Sequence, residues 1–208
     1  MLFFEEVLAI CIVRVFLRHY KITIVNVINQ TSLEFDLVIN KCRNIFLHKF
    51  RDYGASWRVM RVPSIVDQVF IKAQRIRTIE EKKNRMVDED SRTEFMGIIN
   101  YCVIGLIQLS GVVNGEEDPE ESTLSNMFDL HISETKSLME QKNHDYGEAW
   151  REMQVSTFTD MLLMRVLRIR QLLQSAEKSS LSEGIESNFR DMINYCVFAL
   201  IRSEETGK

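Results

Sequence analysis

The sequence predicts an all-α protein made of two tandem helical repeat units packed as an internal pseudo-dimer bundle, and three observations carry that expectation. The 208 residues include only 8 Gly and 2 Pro, too few for many short strands joined by turns but enough for long helices. Apolar residues recur at helical spacing, as in Phe35, Val38, Ile39, Cys42, Ile45 and Phe46. The chain also repeats itself: HKFRDYGASWRVMRVPSIVDQVFIKAQRIR is answered by QKNHDYGEAWREMQVSTFTDMLLMRVLRIR. With 45% hydrophobic and 27% charged residues, each unit has apolar surface to bury. A unit this small buries little alone, so the two copies are expected to pack on each other around a pseudo-twofold axis.

Residues 1–31 stand outside the repeat, as an extra helix or as an upstream extension from a misassigned translation start; the second reading is preferred. The apolar run from Val7 to Leu17 is short, is broken by Arg14 and follows Glu5 and Glu6, which fits neither a signal peptide nor a membrane span. The first unit, residues 32–110, begins with a helix from about Ser32 to Lys49 that ends near the glycine of DYG. Its second helix starts at Pro63 and Ser64, where Ser64 and Asp67 are spaced as a capping box, and runs to about Lys82. The third covers about Ser91 to Leu109. Residues 111–126 read as an exposed acidic linker, and residues 127–203 repeat the three helices, with Thr157 and Asp160 at the capping-box positions.

Four cysteines, far apart and without a C-x-x-C pair, read as reduced buried thiols and exclude the usual structural zinc patterns. The cytoplasm is the expected compartment. A net charge of -4 argues against a general polyanion binder, so nucleic acid is an unfavoured partner, surviving only if the matched arginines gather on one face. No membrane partner is expected; a homo-oligomer is compatible with the sequence.

Polar residues present in both copies are the candidates for a site. Lys49, Asp52 and Tyr53, matched by Lys142, Asp145 and Tyr146, lie at i, i+3 and i+4, so each trio projects from one helical face if the helix continues that far. An ammonium for phosphate, a carboxylate for a metal and an aromatic face for a base would suit a nucleotide; a helix-terminal Lys with a turn Asp is the structural alternative. Arg58 and Arg151 follow the two tryptophans, Trp57 and Trp150, which read first as packing residues and second as stacking platforms. Arg75 shares a face with Lys72, as Arg168 does with Arg165, a cationic pairing suited to phosphate or carboxylate. Asn100 and Tyr101, matched by Asn194 and Tyr195, either tie helices together or touch ligand. Three carboxylates match: Asp52, Asp67 and Glu89 with Asp145, Asp160 and Glu183. Each third helix also holds half of an E-x-x-D pair, because Glu94 precedes Gly97 while Asn188 precedes Asp191.

The KN-x-DYG-x-x-WR run from Lys142 to Arg151, the RIR second helix and the D-x-x-NY third helix resemble the nucleotide modification associated domain type one family. The resemblance extends from Leu33 to Arg202 and implies an all-helical fold and an association with nucleotide or base modification. More distantly the architecture is similar to the MazG-like nucleotide pyrophosphohydrolases, which split nucleoside triphosphates with Mg²⁺ held by acidic clusters. On that reading the protein binds nucleotide; Asp145, Asp160, Glu183 and Asp191 are the candidate catalytic acids, with Asp145 and Asp191 as Mg²⁺ ligands. Lys49, Asp52, Tyr53, Arg58, Arg75, Lys142, Tyr146, Arg151, Arg168, Asn194 and Tyr195 are then candidate substrate contacts. Lys142, Asp145, Arg151, Arg168 and Asp191 are expected in one cleft, with Lys49, Asp52, Arg58 and Arg75 in its partner. The second unit, with one more acid, is expected to carry more of any Mg²⁺ chemistry, and Glu94 either completes a composite site or is solvated. A noncatalytic helical interaction module is the alternative.

Overall fold

The computed structural model describes residues 30–81, 90–111, 117–174 and 181–205. Among them are six α-helices and no strand. We label them α1 (residues 30–53), α2 (Val62–Glu81), α3 (Ser91–Ser110), α4 (Glu121–Tyr146), α5 (Val155–Gln174) and α6 (Leu181–Glu205). Most of residues 1–31, together with Cys11 and Glu89, lie outside the described residues.

Both first helices stop at the glycine of DYG. Gly54 and Gly147 take φ of 61° and 66°, the left-handed conformation that ends a helix and that glycine adopts without a Cβ penalty. Their amides donate back to the carbonyls of Phe50 (2.7 Å) and Asn143 (2.9 Å). A single 3-10 turn follows in each unit, Ser56–Val59 and Ala149–Glu152. The third helix of each unit reaches across to hold that turn. Gln108 Nε2 donates to the carbonyls of Trp57, Arg58 and Met60 at 3.2, 2.9 and 3.0 Å, and Arg202, its counterpart, points Nε at the Met153 carbonyl at 3.4 Å.

Three expectations are corrected. The first helix continues past Lys49 to residue 53, so Lys49, Asp52 and Tyr53 do share helical geometry. The linker is shorter than residues 111–126, because α4 already starts at Glu121 and Leu124 is fully buried as the first member of its stripe Leu124, Phe128, Ile132 and Met139. No capping box forms: Ser64 and Thr157 lie inside the first turns of α2 and α5. Asp67 and Asp160 instead accept ion pairs from the opposite unit.

Those pairs display the pseudo-twofold relation. Arg77 binds Asp160 while Arg170 binds Asp67 at 2.8 Å, a reciprocal exchange of matched residues such as a two-fold interface requires. A second reciprocal set joins α1 to α4, with Arg43 on Asp129 at 2.7 Å and Lys136 on Asp36 at 2.7 Å. Ser32 to Glu140 and Arg51 to Glu121 extend this series antiparallel along the two helices. These partly exposed pairs add little stability individually; their value here is as markers of register. The energetic contribution comes from burial, since α2 packs on α5 and α3 on α6 around a single shared core that includes Phe95, Ile99, Cys102, Phe189, Ile193 and Cys196. At Gly105 the central helices approach closely: a Cβ there would stand 2.6 Å from the Phe189 ring. By length and composition α3 could cross a bilayer, yet 61% of its apolar window is buried inside the protein, as befits a core helix.

Candidate functional site

Each unit brings the end of its first helix, the 3-10 turn, the second helix and the third helix to one place. In the first unit this place is an open cavity of about 330 Å³. Phe46, Phe50, Tyr53, Trp57 and Tyr101 line it with rings, Lys49 and Lys72 with ammonium groups, and Thr93, Gly97, Asn100 and Ile104 from α3 complete its wall. Lys49 is exposed at the rim and has no ion-pair partner among the described residues. Lys72 lies across Gly97, where a Cβ would stand 2.9 Å from its Cε, and reaches Glu94 at 2.9 Å. Arg75 meets the other oxygen of Glu94 at 2.9 Å, and Glu94 is only 3% exposed. Two cations thus satisfy a carboxylate whose burial alone would be strongly unfavourable. Asn100 donates Nδ2 to the Cys42 carbonyl at 3.1 Å, and its buried Oδ1 has no protein partner.

The matching place in the second unit is filled. Phe198, where the first unit has Ile104, stacks on Trp150 with ring centroids 4.2 Å apart and planes 8° from parallel. Asp191, where the first unit has Gly97, is 6% exposed and takes Lys142 at 2.8 Å and Arg165 at 3.1 Å. Arg165 also donates to the Tyr195 hydroxyl at 3.1 Å. Burial opposes its charge, but that bond and the neighbouring Asp191 outweigh burial and hold the guanidinium more firmly protonated than usual. The half E-x-x-D pairs are therefore both used, each carboxylate clasped by two cations but one helical turn apart.

The predicted site residues do not converge as expected. Of the first-unit set, Lys49 and Tyr53 line the cavity; Asp52 faces His48 at 3.0 Å. Arg58 binds Asp118 just ahead of α4, and Arg75 is engaged by Glu94. The second-unit set is dispersed. Arg151 lies over the Trp150 ring at 4.4 Å, clasped by Thr31, Glu34, Glu148 and Glu205, which makes it a tie between units. Asp145 is exposed beside His144, and Tyr146 is 77% exposed. Arg168 and Glu183 share a shallow depression with Asn188, separate from the Lys142–Asp191 pair. Asp160 belongs to the inter-unit exchange, and Asn194 is buried with an unpartnered Oδ1. The aromatic-walled cavity thus lies in the first unit, whereas the hollows of the second unit at Asp145 and at Arg168 are shallow and are lined by no Phe, Tyr or Trp.

The donor set does not fit the expected Mg²⁺. Both oxygens of Asp191 meet cations, whose charges oppose a third, while Asp145 meets His144. Among the described residues no three His, Cys, Asp or Glu side chains gather. Sequence reasoning singled out Lys72 but missed Phe50, Thr93 and Met96 as cavity lining. Its signal was nevertheless present in the repeat, at the two places where a large or charged residue in one copy faces glycine or isoleucine in the other.

Fold and site together define a tandem-repeat α-helical protein with one open aromatic and cationic cavity and one filled counterpart. The chain belongs to the nucleotide modification associated domain 1 family, whose profile matches residues 49–109 and 142–202, one stretch in each unit. No curated protein and no solved structure gives a significant match.

Proposed function

We propose that the protein binds a nucleotide in the first-unit cavity, as a member of the nucleotide-pool machinery of the cytoplasm. The observation that carries this reading is the aromatic-walled cavity with a rim lysine, Lys49, that has no acidic partner among the described residues. Concave sites of about 300–1,000 Å³ with apolar walls and a few convergent polar groups are the usual form of small-molecule pockets. Trp57 and Tyr101 offer faces for a base, Asn100 an amide for a base edge, and Lys49 a point charge for phosphate. The family's association with nucleotide modification supports the same ligand.

The reading assigns binding rather than hydrolysis. Splitting a nucleoside triphosphate to monophosphate and pyrophosphate would call for carboxylates free to hold Mg²⁺ near the phosphates, and the buried carboxylates Glu94 and Asp191 are instead neutralised by lysine and arginine. Thermal-shift measurements against nucleoside mono-, di- and triphosphates, with and without Mg²⁺ and alongside a pyrophosphate-release assay, test it. Stabilisation by nucleotides without turnover is expected. Turnover would restore the pyrophosphohydrolase assignment, and no stabilisation by any nucleotide would favour a protein-interaction module.

A further inference from the structure

We infer that the second unit is a self-occupied copy of the first unit's site, in which Asp191 and Phe198 hold the places that a ligand's anion and ring take in the first. The inference rests on the nucleotide reading and narrows it to ligands with one ring system and one anionic group, the nucleoside monophosphates.

Five matched positions support it. Trp57 and Lys49 border the cavity in the first unit. Their counterparts are engaged: Trp150 is stacked on the Phe198 ring, and the half-exposed Lys142 is paired with the Asp191 carboxylate. Arg165, the counterpart of the cavity residue Lys72, also grips Asp191. The two side chains that engage Trp150 and Lys142 are the ones replaced in the first unit by smaller residues, Gly97 and Ile104, and both of these line the cavity, with Lys72 laid across Gly97. Asp191 and Phe198 stand seven residues apart on one face of α6, so their backbone positions are about 10 Å apart. The second unit therefore presents its own ring above a tryptophan and its own anion beside a lysine, joined by protein backbone. In the first unit, matching tryptophan and lysine groups are left for a molecule that supplies both parts.

The consequence is one ligand per chain, with a latent second place. Isothermal titration with adenosine, guanosine, cytidine and thymidine monophosphates, and with phenyl phosphate as a minimal ring-and-phosphate probe, tests it on the full chain. The parent protein should bind one equivalent, and the Asp191→Gly/Phe198→Ile variant should bind two. One equivalent in both proteins, or two in the parent, would overturn self-occupancy while leaving nucleotide binding intact. No binding in the parent with one equivalent in the variant would remove the first-unit reading and uphold self-occupancy. No binding in either would remove both. Should the variant fail to fold, the reverse exchange Gly97→Asp/Ile104→Phe serves: it should fill the first unit and abolish binding, and undiminished affinity in that folded variant would overturn the inference.

Discussion

Replacing Gly105 by Ala probes the contact on which the internal pseudo-dimer depends. The added methyl would lie 2.6 Å from two ring carbons of Phe189, and Phe189 is fully buried, so the ring cannot swing into solvent to make room. Overpacking a closed core costs about 1–3 kcal/mol. Alanine in place of glycine within a helix returns roughly 0.5–1 kcal/mol. The balance runs from near zero to a net loss of about 2.5 kcal/mol, or a fall in Tm of up to about 10 °C, at roughly 2–4 °C per kcal/mol for a protein of this size. Gly184→Ala is the internal control. Its methyl would meet only the half-buried Leu172 side chain at 3.3 Å, which can shift, so the helix term should dominate and leave that variant neutral or slightly stabilised. Urea unfolding of the two variants beside the parent decides it. A Gly105→Ala protein more stable than the parent would refute the close approach of α3 to α6.

Two further outcomes follow from buried titrating groups. Burial first, and the charge of Arg190 second, press the pKa of His131 below its ordinary 6.5. The unfolded chain then takes up a proton that the native state refuses, so this contribution to stability is complete above about pH 6.5 and is lost as pH falls toward the lowered native value. Urea unfolding at about pH 7 and about pH 5.5 should show a weakening on acidification that His131→Gln reduces; an unchanged slope in that variant would contradict the assignment. Burial also pushes the Cys42 thiol up to about 12 and those of Cys102 and Cys196 well above their usual value. Peptide mapping after iodoacetamide treatment of native protein at about pH 8 should leave all three unmodified, and rapid alkylation of any of them would show that its helix interface opens.

The fold was legible because its determinants are repeated and local. Period and composition placed the helices, and DYG marked both first-helix ends, since a left-handed C-terminal residue favours glycine whatever surrounds it. The start of α4 was misread because its acidic first turn resembles linker, and only the burial of Leu124 against the rest of the bundle settles the matter. Asp67 and Asp160 were misplaced for a related reason: local spacing suggested a cap, whereas their partners Arg170 and Arg77 lie more than eighty residues away. The site was half legible. Lys49 and Tyr53 were found from the repeat, but counting acids pointed to the second unit, whereas the aromatic-walled cavity lies where Gly97 stands in place of Asp191 and Ile104 in place of Phe198. A difference between two copies carried as much information as their identities.

The central claim, a nucleotide site walled by Trp57, is open to one direct measurement because the chain has only two tryptophans. In a Trp150→Phe variant, which leaves an aromatic ring to stack on Phe198, tryptophan emission reports Trp57 alone. Titration with nucleoside monophosphates should quench that emission saturably. Adding Lys49→Ala should raise the apparent Kd roughly tenfold, the lower end of what a lost charge-assisted contact of about 1.5–3 kcal/mol produces. Emission from Trp57 that ignores every nucleotide, or a Kd that Lys49→Ala leaves unchanged, would contradict the account.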